Sequence, residues 1–176
     1  MTILKGTEYS LLDGKGRFAI PAAHRKALLP ETADEKTNGS GKGGKGKVVM
    51  TRHPGGFVIL MSTEGWKSQE DALKALPDRG DSGGLKACML GGVSEVEVDE
   101  TGRTLLTLVL RKYLGIDLDK AKNDNERYTL AVVGVGGFIK ISLEENDDAC
   151  VRGVQERYTR LHNDDFPEEW NGISIL

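Results

Sequence analysis

The sequence predicts an α+β chain, mainly β, built from two copies of one β-β-α-β-β unit. Two stretches, LDGKGRFAIPAAHRKAL (12–28) and VDETGRTLLTLVLRKYL (98–114), share six identical positions at a constant offset of 86. Further along each copy, GGFVIL (55–60) matches GGFIKI (136–141) at an offset of 81. Because four short strands cannot close a core alone, we expect the two copies to pair about a pseudo-twofold axis and bury their strands together.

Each copy is predicted to begin with a strand, TEYSLLD (7–13) or VSEVEVD (93–99). In the second of these, Val96 and Val98 alternate with Glu95 and Glu97. A tight Asp-x-x-Gly-Arg turn follows, in which the aspartate binds backbone amides and the glycine takes a positive φ. The next strands are RFAIP (17–21) and RTLLT (103–107), and each leads into a short helix. Pro21 is suited to the first turn of the first such helix.

The second half of each copy is predicted to be a strand pair followed by a helix. The pairs are KVVMTR (47–52) with GFVILM (56–61), and RYTLAVVG (127–134) with GFIKIS (137–142). The apolar residues predicted for the helix of the first copy are Trp66, Leu73 and Leu76. For the helix of the second copy they are Cys150, Val154, Tyr158 and Leu161, after a capping box formed by Ser142 and Glu145.

The two copies define the predicted domains. Residues 1–80 form the first repeat with its trailing helix. Residues 81–176 comprise a linker helix, the second repeat and a C-terminal helix with an acidic tail. The connection is LPDRGDSGG (76–84), followed by a short helix over LKACML (85–90).

A glycine- and lysine-rich segment, GSGKGGKGKVV (39–49), is similar to a phosphate-binding loop. Such a loop needs Ser or Thr after its lysine, and it must connect a buried strand to a helix. Val48 stands at the Ser/Thr position, and the apolar, β-branched residues that follow favour a strand. We therefore predict a surface loop, inserted at 38–47 in the first copy. VGVGG (133–137) is a weaker dinucleotide motif, since no helix is predicted after it.

The remaining chemistry argues against an enzyme, and we expect no catalytic residue, metal, cofactor or small-molecule substrate. Cys88 and Cys150 match no ligand or redox spacing and suit a reducing cytosol. The scattered histidines are typical of surface or packing positions: His24, His53 and His162. No apolar run approaches the roughly 18 residues of a membrane span, and the N-terminus lacks the pattern of a secretory signal.

Charge is distributed unevenly along the chain. The net charge is −3 overall, +5 over residues 1–60 and −6 over residues 144–176. A basic front and an acidic tail suit a protein that binds a polyanion with one face, although uneven surface charge alone would give the same numbers.

The two Asp-x-x-Gly-Arg units, each within a strand–turn–strand–helix, resemble the MraZ family of bacterial transcriptional regulators, related to the AbrB and MazE swapped-hairpin DNA-binding domains. The resemblance covers nearly the whole chain. It implies that the two repeats interleave into a pseudo-dimeric swapped-hairpin barrel with flanking helices. It also implies ring-shaped homo-oligomers, octamers or dodecamers, that bind direct repeats of double-stranded DNA. The implied role is a cytoplasmic, nucleoid-associated repressor acting upstream of the cell-division and cell-wall gene cluster.

The resemblance further implies that the Asp-x-Lys-Gly-Arg turn contacts DNA, which assigns Lys15, Gly16 and Arg17 to DNA binding, with Arg103 in the second copy. An arginine fork can bind guanine edges or phosphate, and a lysine suits phosphate. The alternative for Arg17 is an ion pair with Asp13 across its own turn. Thr101 replaces the lysine in the second copy, so we expect less DNA contact there. The residues interpreted as shaping the turns are Asp13, Asp99 and Gly102, and those interpreted as structural are Arg25 and Arg111.

Three function classes can be compared on these residues. We favour a sequence-specific DNA-binding regulator. An enzyme with a phosphorylated cofactor would need a phosphate loop that the sequence does not supply. A protein-interaction module, similar to an antitoxin, would use the acidic tail to bind a basic partner and would bind DNA only non-specifically.

Overall fold

The computed structural model describes residues 3–29 and 46–160, and the chain divides into two compact units after Glu144. The strands of the first unit are β1 (Leu4–Leu11), β2 (Arg17–Ala19), β3 (Gly46–His53), β4 (Phe57–Ser62), β5 (Ser94–Val98), β6 (Arg103–Leu105), β7 (Thr129–Gly136) and β8 (Ile139–Leu143). Its helices are α1 (Ala22–Leu28), α2 (Thr63–Lys74), α3 (Gly80–Leu90), α4 (Leu108–Tyr113) and α5 (Leu118–Asp124). The helix α6 (Glu144–Arg160) forms the described part of the second unit.

The eight strands form one antiparallel sheet that is nearly closed into a barrel, in the order β1-β7-β8-β4-β3-β5-β6-β2. The first strand of each copy pairs with the third strand of the other copy, β1 with β7 and β5 with β3. Neither copy therefore completes its own sheet. The predicted α+β, mainly β fold, with interleaved copies in a swapped-hairpin barrel, is confirmed.

Two strand pairs place the pseudo-twofold axis. The three-residue ladder of β2 with β6 is centred on Phe18 opposite Thr104, and that of β4 with β8 is centred on Ile59 opposite Lys140. These partners are also the equivalent residues of the two copies, at the offsets of 86 and 81 found in the sequence. The axis therefore passes through both pairs, and equivalent positions can be compared directly.

Apolar residues fill two regions of the first unit. The larger cluster lies inside the barrel and includes Phe18, Met50, Leu60 and Leu106, each at most 1% exposed. The smaller cluster joins the outer face of β3 and β4 to α2 and α3, and consists of Val49, Ile59, Met61, Trp66 and Leu73, with Leu76, Leu85 and Met89 partly buried against it. The stripe predicted for the helix of the first copy lies in this cluster.

Several local predictions differ from the structure. Helix α3 begins at Gly80, five residues before the predicted start, because its later residues pack on the smaller cluster and outweigh the poor helix propensity of its glycines. Helix α5 was not predicted. It is short, and its N-cap Asp117 accepts hydrogen bonds from the amides of Asp119 and Lys120.

The predicted capping box of Ser142 and Glu145 is wrong. Ser142 pairs with Ala131 in the ladder of β7 with β8, and its buried Oγ has no hydrogen-bond partner within the described residues. Of the stripe predicted for α6, Cys150 and Val154 are exposed, while the Tyr158 side chain and Leu161 lie outside what the structure describes.

Candidate nucleic-acid interface

The first Asp-x-x-Gly-Arg turn is closed by its aspartate. Asp13 Oδ1 accepts hydrogen bonds from the amides of Lys15 at 2.9 Å and Arg17 at 2.8 Å, and Gly16 has a φ of +80°. The pKa of Asp13 is lowered: partial burial acts to raise it, but the two amides and the Arg17 guanidinium together outweigh that effect. Asp13 therefore stays ionised and holds the turn in shape, while the exposed Lys15 stands at its tip.

The second turn repeats this geometry. Asp99 Oδ1 accepts from the amides of Thr101 and Arg103, each at 2.9 Å, and Gly102 has a φ of +79°. The Thr101 hydroxyl donates to the same oxygen at 2.6 Å, and this bond is the largest reason why the pKa of Asp99 is lowered. Threonine at this position thus adds to the closure of the turn, whereas lysine in the first turn extends a charge.

Arg17 forms an ion pair with Asp13, the alternative to a DNA contact. Its Nε lies 3.1 Å from Asp13 Oδ2, and 42% of the arginine side chain is exposed. A pair this exposed contributes only about 0–1 kcal/mol to stability. The contact orients the guanidinium without burying it, so the pair and a role in binding are compatible. Arg103 is also exposed, and the structure gives it no ion pair with Asp99 in the described part of the chain.

Both arginines lie on one face of a two-stranded ribbon, β2 with β6. Phe18 and Thr104, at the centre of the ladder, point inward and are 1% and 2% exposed. Since successive strand residues point to opposite faces, the flanking residues point outward, with Arg17 opposite Leu105 and Ala19 opposite Arg103. This places the two arginine Cα atoms on a diagonal, roughly 7–8 Å apart. A shallow concavity of about 500 Å³ runs beside the ribbon and is lined by Arg17, Arg103, Leu105, Lys47 and Glu97.

Each turn is supported by the other copy. The carbonyl of Gly102 accepts from the amide of Ile20, and the carbonyl of Gly16 accepts from the amide of Leu106, both at 2.8 Å.

The short helices add a second cross-copy contact. A Cβ atom added to Gly102 would meet the Arg25 guanidinium, and one added to Gly16 would meet that of Arg111. The identity of these glycines and arginines in both copies was visible in the sequence. Only the interleaved fold shows that each arginine packs on the opposite turn, which agrees with their interpretation as structural residues.

The two turns differ in charge. Residues 13–17 carry two cations and one carboxylate, whereas residues 99–103 carry one cation and two carboxylates. An anionic ligand on the ribbon is therefore attracted more strongly to the end with Arg17 than to the end with Arg103.

The nucleotide-binding motifs are not supported by their context. The segment after the glycine-lysine loop is strand β3, beginning at Gly46, where a phosphate-binding loop requires a helix. Residues 30–45 lie outside the described chain. VGVGG lies in β7 and its turn and is followed by β8, again a strand. Across residues 3–29 and 46–160, no three His, Cys, Asp or Glu side chains are grouped as metal ligands. In the same ranges, no helix combines the length and apolar composition needed to cross a membrane.

No protein-family model matches the chain. The transcriptional regulator MraZ of Methylobacillus flagellatus is 31% identical over 175 residues, which cover 98% of this chain and 100% of that protein. MraZ of Janthinobacterium sp. (strain Marseille) is 31% identical over 153 residues, 85% of this chain and 91% of its own. MraZ of Methylibium petroleiphilum is 32% identical over 117 residues, 66% of this chain and 70% of its own. These relatives are named as regulators and not as enzymes. With the first of them matched over its full length, the chain belongs to the MraZ family of transcriptional regulators.

Proposed function

We propose that this protein is a sequence-specific DNA-binding regulator that places its β2–β6 ribbon in the major groove. The observation that carries the proposal is the outward face of this ribbon, which presents Arg17 and Arg103. The inward-facing residues at the centre of the same ladder are buried in the core. The major groove is about 12 Å wide and admits a two-stranded ribbon. A ribbon anchored by Phe18 in a packed core presents its arginines at a fixed separation.

Within this proposal the turn residues have distinct tasks. Arg17 contacts a guanine edge or a phosphate, and Lys15 contacts a phosphate. Gly16 belongs to this DNA-contacting turn through its positive φ and the close packing of the Arg111 guanidinium against it, which shape the loop that presents Lys15 and Arg17. Arg103 makes a weaker contact at the other end of the ribbon, where Asp99 and its neighbour Glu100 reduce the local positive charge.

The finer assignments rest on the family resemblance. The protein acts in the cytoplasm at the nucleoid, as a repressor that binds direct repeats upstream of the cell-division and cell-wall genes. Its two repeats are assigned to residues 1–80 and 81–176, and the matched registers of their strands about the pseudo-twofold axis support this division. Chains associate into a ring, an octamer or a dodecamer. One barrel offers few phosphate contacts, so a ring on successive repeats gains affinity through multivalency.

The first test is fluorescence anisotropy with duplexes that carry direct repeats from upstream of the protein's own gene, or the same bases shuffled, at two salt concentrations. We expect the repeats to bind at least about a thousandfold more tightly than the shuffled duplex. Arg17→Ala removes this preference, and Arg103→Ala reduces it less. Arg79→Ala is the matched control, because Arg79 is an exposed arginine before α3 and is not part of the ribbon.

Equal, weak binding of both duplexes that collapses as salt rises would overturn the proposal. The protein-interaction alternative would then be tested by a search for a stable basic protein partner.

The ring is tested separately. Mass photometry of the free protein should give a single closed oligomer, and a duplex with four repeats should bind far more tightly than a duplex with one. A monomer that binds one repeat as tightly as four would contradict the multivalent ring.

A further inference from the structure

The outward face of the β2–β6 ribbon is not symmetric. Leu105 lies opposite Arg17, and the residue that lies opposite Arg103 is Ala19, its equivalent in the first copy. The leucine is 41% exposed on a face that also carries the two arginines. One half of the ribbon thus presents Lys15, Arg17 and Leu105, whereas the other presents Thr101, Arg103 and Ala19.

We infer that Leu105 is a specificity-determining residue that packs on the 5-methyl group of a thymine in the half-site contacted by Arg17. This inference deepens the proposed function and rests on it. The structure assigns Leu105 this place because its Cβ lies roughly 4.5–5.5 Å from that of Arg17 in the ladder, on the same face. A duplex whose base edges contact the Arg17 guanidinium therefore lies over the same face as Leu105.

The chemistry of the major groove offers one apolar partner. Among the four bases, only thymine presents a methyl group there, in a groove whose acceptor atoms suit the donor groups of arginine. A leucine on this face would lose solvent contact against any base, but only a thymine methyl buries apolar surface in return. Ala19, one carbon long beyond its Cα, is too short to reach the same group from the other half of the ribbon.

The apolar surface continues from Leu105 onto the start of α4. Leu108 and Val109 are 55% and 51% exposed, and their equivalents in the first copy are Ala22 and Ala23. A second copy of this chain is the other occupant that such a surface could take. The position of Leu105 beside Arg17 and Arg103 on one face favours DNA, because a polyanion can contact both arginines and the leucine together.

The consequence is a polarity in the binding site. A ribbon with two equal halves would favour a palindrome, whereas this ribbon distinguishes its ends. It suits a non-palindromic repeat in which thymine is required on one side only.

The inference is tested by replacing thymines with uracil, which lacks the methyl group, one position at a time in every repeat of the duplex. The unmodified protein should bind about fourfold more weakly per repeat at one thymine position, the loss expected for one buried methyl. Leu105→Ala should bind the thymine and uracil duplexes alike at that position. Ala19→Leu is the matched gain-of-contact variant, and it should create sensitivity to uracil at a second position, in the other half of the repeat.

Several results would overturn the inference. The first is preference of the unmodified protein for the repeats with no sensitivity to uracil at any position, which leaves the proposed function intact and removes only the role of Leu105. The second is unchanged uracil sensitivity in Leu105→Ala. The third is a change of oligomer mass in Leu105→Ala at unchanged uracil sensitivity, which assigns the surface to a second copy. Failure to distinguish repeats from shuffled DNA would overturn the proposed function as well.

Discussion

Replacing His24 by leucine should stabilise the protein. His24 lies on α1, is 2% exposed, and its Nε2 has no hydrogen-bond partner within the described residues. The pseudo-twofold axis gives a direct comparison, because the equivalent residue on α4 is Leu110, which is fully buried. The second copy thus shows that leucine fits this environment.

The magnitude follows from the unpaired nitrogen. A buried polar atom without a partner costs about 1–3 kcal/mol, and His24→Leu removes it while keeping most of the side-chain volume. We expect the free energy of unfolding to rise by that amount. For a chain of this size the midpoint of thermal unfolding should rise by about 2–4 °C for each kcal/mol.

The assay is urea unfolding followed by tryptophan fluorescence, at one fixed protein concentration because oligomer stability depends on concentration. The reverse variant, Leu110→His, is the control and should destabilise by about 2–5 kcal/mol, as for other losses of a buried leucine. A loss of stability in His24→Leu would refute the reasoning, since it would show that Nε2 makes a stabilising contact in solution.

Three further predictions concern variants that can be measured by the same kind of unfolding experiment. Gly102→Ala should lower the free energy of unfolding by at least about 1–2 kcal/mol, because the residue has a positive φ and the added methyl meets the Arg25 guanidinium. Gly14→Ala is the control and should be nearly neutral, because Gly14 has open space around it and no positive φ. Asp13→Asn should reduce the loss of stability that the protein shows as the pH becomes acidic. The pKa of Asp13 is lowered in the folded protein, so the stability that its carboxylate contributes is present above the unfolded pKa of 3.8 and is lost as pH falls through the folded pKa. Thermal unfolding between pH 5 and pH 3 measures this loss. The same fall in stability with pH in Asp13→Asn and in the unmodified protein would contradict it. Tyr113→Phe should cost about 0.5–1.5 kcal/mol, because the Tyr113 hydroxyl donates a 2.7 Å hydrogen bond to a backbone carbonyl at the end of β3, and an unchanged urea midpoint would exclude that contribution.

Local features were predictable from the sequence. The Asp-x-x-Gly-Arg turns depend on residues at most four positions apart. Their aspartate hydrogen bonds and positive-φ glycines can therefore be predicted from the local sequence. The strands could be predicted because alternation and runs of apolar, β-branched residues are also local patterns. Helix α3 was predicted too short because three glycines argue against a helix, while its stability comes from packing of Leu85 and Met89 that no local pattern contains.

The site could be predicted only in part for the same reason. The sequence singled out Arg17 and Arg103, but their position on a shared face depends on the antiparallel pairing of β2 with β6, which joins residues 86 positions apart in the repeat. The role of Arg25 against Gly102 is equally non-local. The role inferred for Leu105 could not be predicted from the sequence, because an apolar residue in a predicted strand is expected to be buried. The structure shows that it faces outward.

The swapped pairing has a consequence for synthesis of the protein. The proposed DNA-contacting turn is synthesised well before the strand that supports it, because the Leu12 amide donates to the Tyr128 carbonyl and β1 pairs with β7, more than a hundred residues later in the chain. Contacts between such distant residues form slowly, because a long loop must close before they are made. A nascent or truncated chain therefore exposes the arginines without the framework that fixes their spacing. The proposed binding surface is therefore complete only after β7 has been synthesised and has paired with β1.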